Sequence, residues 1–200
     1  MTNGFNEEIT GIYRLKVPFE KIYTSVFLVL TDSKKIMVDC ATTCDDVDKC
    51  IVPALRTLGF ELKDIDMLVL THKHGDHAGG LDRILQIAPD IVVVKEIRRL
   101  CEGISAYALA GHTSDSIGVF DERTRTLISG DGIQGAGVDK YRCYAQEPVA
   151  YLETLNKIKN DEKIENILFS HAYEPWNTDF AFGRKNAEDC IMKSIEYMEG

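Results

Sequence analysis

Four side chains able to bind a metal ion crowd into six residues of this chain: His72, His74, Asp76 and His77. They lie in the stretch Thr71-His72-Lys73-His74-Gly75-Asp76-His77-Ala78-Gly79-Gly80. Imidazole nitrogen and carboxylate oxygen together suit zinc, iron or manganese. Alternate residues of an extended segment face the same way, so His72 and His74 can grip one ion together. Asp76 and His77 then fall where the chain turns into a helix and can point at a second ion. Three of the chain's five histidines are in this stretch. The other two, His112 and His171, each follow a strand-like run and close a short loop.

These groups need elements that hold them. The apolar run Met67-Leu68-Val69-Leu70 reads as a buried strand delivering His72, and a helix is expected from 78 to about 88. Upstream, alternation over 9–17 predicts a strand, 22–30 a second, and 36–39 the returning arm of a hairpin that ends on Asp39. Asp45 or Asp46 would start a helix running to about Leu58, disturbed by Pro53 and closed by Gly59. The run Ile91-Val92-Val93-Val94 is a buried strand. Helix is expected over 95–101, a strand over 104–109 leading to His112, and a hairpin over 116–129 leading to Asp131. A helix over 147–159, a last strand over 164–169 delivering His171, and a final helix over 184–198 complete the chain. The Gly-rich stretch 132–137 does not have the spacing of a dinucleotide-binding loop.

Ordered along the chain, Asp39, the motif at 72 to 77, Gly111-His112-Thr113, Ser129-Gly130-Asp131 and Ser170-His171 resemble the five signatures of the metallo-β-lactamase fold superfamily. The resemblance covers essentially the whole chain and leaves no histidine over. It implies an α/β (α+β) fold, the αββα four-layer sandwich, formed by residues 1–200 as a single domain.

The resemblance also assigns roles. His72, His74 and His112 would hold one metal; Asp76, His77 and His171 would hold the other; Asp131 would bridge them. The cofactors implied are two divalent ions, zinc first, with iron and manganese as alternatives. Such pairs sit ~3.5–4 Å apart and lower the pKa of a shared water from 15.7 towards ~7, giving a hydroxide that attacks a carbonyl. Asp76 and Asp131 would serve that hydroxide. Asp39 would accept a ring N–H from a metal-bound histidine and fix its tautomer. Tyr173 is a candidate donor to the oxyanion, and Lys140, Tyr141 and Arg142 are candidates for a substrate wall. No cysteine occupies a second-metal position, so the ligand set is similar to that of glyoxalase II and the lactonases. Ala110 stands where relatives often carry proline.

The expected activity is therefore hydrolysis of a small ester, thioester or lactone by a dinuclear centre. A mononuclear iron enzyme resembling persulfide dioxygenases is the rival, with phosphodiesterase and β-lactam hydrolase as further alternatives. A length of 200 residues, 44% hydrophobic, suits one globular core. The net charge of −9 argues against a nucleic-acid partner. No apolar run approaches the ~18 residues that span a bilayer, and the first residues carry no basic and apolar leader pattern. Six scattered cysteines read as reduced thiols. The expectation is a cytoplasmic protein with a small-molecule substrate and no nucleic-acid or membrane partner. Oligomeric state is not readable from the sequence.

Overall fold

The computed structural model describes residues 4–19, 21–134, 145–172 and 178–199. It divides into two compact units, Met1–Lys95 and Glu96–Gly200. Each is a six-stranded sheet with its own helices.

In the first unit the strands follow sequence order: β1 (Asn6–Ile9), β2 (Ile12–Phe19), β3 (Ile22–Leu30), β4 (Lys35–Val38), β5 (Met67–Val69) and β6 (Val92–Val94). Neighbours from β1 to β4 are antiparallel; β4, β5 and β6 run parallel. The switch matters for function. Parallel strands all end at one edge of the sheet, where the loops that follow them gather. Val38 and Val69 are ladder partners there, so Asp39 and the chain leading to His72 leave the sheet side by side.

Leu28, Met37 and Leu68 form one cross-strand row in the core. Val47, Ile51, Leu55 and Ile84 from the helices belong to the same cluster. On the alternate face Val29, Ile36, Val38 and Val69 are fully buried as well. That explains the unbroken apolar runs, because parallel strands covered on both faces have no polar side.

The helical stretch after β4 starts two or three residues earlier than the aspartates suggested. Thr43 caps α1 (Cys44–Asp46): its hydroxyl accepts the Asp46 N–H at 3.2 Å, and the Asp46 carboxylate accepts the Thr43 N–H at 2.8 Å. Pro53 does not break the helix. A wide π turn (Val47–Ile51) precedes α2 (Val52–Thr57), with the Val52 N–H reaching Val47 O, and Pro53 sits in the first turn after it. Proline there lacks only an N–H that the rearranged turn does not use. Gly59, at φ +81°, closes the stretch, its N–H donating to Arg56 O and that of Phe60 to Leu55 O. The helix expected from 78 to about 88 is α4 (Leu81–Ile87), and a separate short helix, α3 (Gly75–Ala78), precedes it.

The second unit contains β7 (Arg99–Cys101), β8 (Ile104–Ala108), β9 (Ile117–Asp121), β10 (Thr126–Ile128), β11 (Asn166–Leu168) and β12 (Phe180–Ala181), again in sequence order across the sheet. Among the described residues only the β10–β11 pair is parallel. Its crossover includes α5 (Pro148–Asn160), and α6 (Arg184–Glu199) packs against α5, β11 and β12. Tyr151, Leu155 and Ile158 of α5 and Ile191 and Ile195 of α6 share a core with Leu127 and Ile167.

Two expectations fail here. Residues 95–101 are not helical: 99–101 form β7, a sheet edge, and Arg98 O accepts the Ala106 N–H at 2.8 Å. Ladder bonds to β8 and the turn at Gly103 outweigh the weak helical preference of that stretch. The strand before His171 is not the last, since the two-residue β12 follows and pairs with it. A strand that short has no period to read. No described helix is long and apolar enough to cross a membrane.

Candidate metal-binding residues and their supports

In the first unit, Asp39 and Ala41 both adopt left-handed backbone angles, φ 62° and 60°. Aspartate tolerates this better than alanine, and each such residue costs roughly 1–2 kcal/mol. The bend is held by the motif itself: the Cys40 N–H donates to His77 O at 2.8 Å, and the Gly79 N–H to Ala41 O at 3.0 Å. Gly79 and Gly80 make the approach feasible. A Cβ on Gly79 would lie 1.8 Å from Thr42 O, and one on Gly80 2.2 Å from Cys40 O.

The result is a fully buried carboxylate aimed at the histidines. Asp39 accepts the Thr71 N–H at 2.8 Å, the Thr71 hydroxyl at 2.9 Å and the His77 Nδ1–H at 2.7 Å. Three donors are what a buried carboxylate requires. Since the Thr71 proton goes to Asp39, its oxygen is left to accept from His72 Nδ1, 3.1 Å away. Asp39 therefore acts on His77 directly and on His72 through Thr71. In both rings Nδ1 is occupied and Nε2 is the nitrogen left to bind.

Those nitrogens converge. His72 Nε2 lies 3.0 Å from His74 Nδ1. Two imidazoles on one tetrahedral zinc put their nitrogens about 3.3 Å apart, so this pair has the separation of a chelate. His77 Nε2 lies 3.4 Å from Asp76 Oδ2. Cys40 lies beneath, its thiol donating to His77 O at 3.3 Å. Burial first, then the Asp39 charge, push its pKa up to about 12, so it stays a packing thiol.

In the second unit the loops after β8, β10 and β11 carry His112, Asp131 and His171, all buried. The loop around His112 is braced locally: Ser116 Oγ accepts the Thr113 N–H at 3.1 Å, and the two hydroxyls are 2.8 Å apart. Asp131 faces both histidines. Its Oδ1 is 3.3 Å from His171 Nε2 and its Oδ2 is 3.6 Å from His112 Nε2. Each oxygen serves a different ring. Behind His112, the side-chain amide of Gln134 lies 3.1 Å from Nδ1.

The structure thus places His72, His74, Asp76 and His77 together with Asp39 in one unit, and His112, Asp131 and His171 together in the other. Imidazole nitrogens gathered beside carboxylates are a donor set that suits a divalent cation. Tyr173, Lys140, Tyr141 and Arg142 lie outside the described residues. Sequence reading gave no role to Thr71 or Gln134. A hydroxyl at the strand end beside His72 was a usable signal for the first; the second had only its place three residues after Asp131.

A profile of the Metallo-beta-lactamase superfamily matches residues 21–99. A Beta-lactamase-like protein 2 homolog of Caenorhabditis elegans is 30% identical over 72% of this chain and 54% of its own length. A Hydroxyacylglutathione hydrolase of Erwinia tasmaniensis is 25% identical over 70% of this chain and 68% of its own. The chain thus spans about half the length of the worm relative. Among solved structures, a metallo-β-lactamase from Erythrobacter litoralis superposes with a TM-score of 0.73 over 98% of this chain and 95% of that one, at 18% identity. That last likeness shows the fold.

Proposed function

We propose that this chain, which matches the metallo-β-lactamase superfamily profile over residues 21–99 and is similar to the worm relative, is a metal-dependent hydrolase holding two divalent ions, zinc first, and cleaving a small ester, thioester or lactone. The observation that carries the dinuclear part is Asp131, whose two oxygens face two different histidines at 3.3 and 3.6 Å. A carboxylate so placed suits a bridge. In this reading His72, His74 and His112 hold one ion, and Asp76, His77 and His171 the other. That the donors of the two units close on common ions is part of the proposal. Such a pair of ions supplies a Lewis acid and a water of lowered pKa.

The chain's own residues do the rest. Asp39 keeps His77, and through Thr71 also His72, in the tautomer that leaves Nε2 bare. Asp76 orients the attacking water. Tyr173, Lys140, Tyr141 and Arg142 are proposed to contact a small-molecule substrate. The thioester class comes first because one relative is a hydroxyacylglutathione hydrolase. A cytoplasmic setting goes with the free thiols of Cys40, Cys44, Cys50, Cys101 and Cys190.

The test is a panel of acyl thioesters, esters and lactones on protein reconstituted with zinc or manganese. Hydrolysis of at least one class should stop with a chelator and return with the metal. Oxygen uptake with a persulfide, and no hydrolysis, would overturn the reading in favour of an iron oxygenase.

A further inference from the structure

Gln134 is buried, with 7% of its surface exposed. The metal-ligand reading gives it no task. Its Nε2 lies 3.1 Å from His112 Nδ1. A half-turn of the amide, which changes no volume, puts Oε1 there instead.

We infer that Gln134 is a positioning residue for His112: its amide oxygen takes the Nδ1 proton and holds the ring with Nε2 bare towards Asp131. The inference rests on the metal-site reading, since that reading makes Nε2 the donor. A neutral imidazole carries one N–H, and a nitrogen that binds a metal must be the bare one. The ring orientation agrees, with Nε2 3.6 Å from Asp131 Oδ2 on the side opposite the amide. His77 is backed by a carboxylate, which fixes the tautomer and also makes the ring more basic. An amide does only the first. His112 is thereby a correctly aimed but weaker ligand than His77, set by a residue outside every recognised motif.

The experiment compares wild-type protein, Gln134→Leu and Gln134→Glu, all full chain. Zinc affinity is read by competition with a chromophoric chelator. The His112 ring N–H is read by NMR on the 15N-histidine-labelled, zinc-loaded protein. Leucine keeps bulk and removes the acceptor, so affinity should fall about 10–100-fold, and the Nδ1–H signal should lose its protection from exchange. Glutamate restores an acceptor and should bind zinc at least as tightly as wild type. That rescue is what a merely space-filling role would not produce. Wild-type affinity in Gln134→Leu, or equal losses in both variants, would overturn the assignment while leaving the metal site standing. Wild-type protein that takes up no zinc would overturn both.

Discussion

The two units solve the same problem with different chemistry. In the first, a buried carboxylate stands behind the histidines and reaches two of them, His77 at 2.7 Å and His72 through Thr71. In the second, a neutral amide stands 3.1 Å behind His112, and the carboxylate, Asp131, is in front with two donor nitrogens, where the first unit has Asp76 in front of His77 alone. Charge behind a ring raises its basicity; charge in front neutralises a cation directly. The difference predicts a first unit whose supports tune affinity strongly, and a second unit where one residue, Asp131, outweighs all its supports.

Removing that residue is the largest test. Asp131→Ala should abolish turnover and leave fewer than two metal equivalents; His74→Ala should abolish turnover and lose at least part of the metal. Full activity in either variant would defeat the proposed site. Next comes Asp39→Asn, which keeps the shape but removes the charge shared by His77 and Thr71. Zinc affinity, read by chelator competition, should fall about 10–100-fold. A loss smaller than that of Gln134→Leu would reverse the ranking of the two supports.

Backbone approach gives a smaller, matched pair. Gly79→Ala would drive a Cβ to 1.8 Å from Thr42 O, and Gly111→Ala one to 2.4 Å from the Tyr151 Cα. Each should lower stability in denaturant by about 1–3 kcal/mol, and each should loosen only the donors of its own unit. The smallest effect concerns Cys40. Because its thiol titrates at about 12 when folded against 9.0 unperturbed, the unfolded thiol ionises first as pH rises. Its contribution to stability is therefore intact below about 9 and falls between there and 12. At pH 8, native protein should be alkylated at exposed Cys44 and spared at Cys40, which peptide mass mapping would show.

The sequence made the juxtaposition of His72 and His74 legible because extended chain has a period of two, and their nitrogens do meet at 3.0 Å. The Asp39–His77 contact was expected only through the family resemblance, which places a carboxylate at that strand end to accept a ring N–H from a metal-bound histidine. Gln134 was not, because an amide acquires a function only from what folding brings to it. Neither β7 nor β12 was visible, since strands of two or three residues are fixed by neighbours in the sheet and not by their own pattern. The π turn ahead of Pro53 was also hidden, as nothing local specifies which turn absorbs a proline.

Elemental analysis of the purified, tag-free protein by mass spectrometry tests the central claim most directly. Two divalent ions per chain are predicted, falling below two in Asp131→Ala. A single iron per chain, or no metal even after reconstitution, would contradict it.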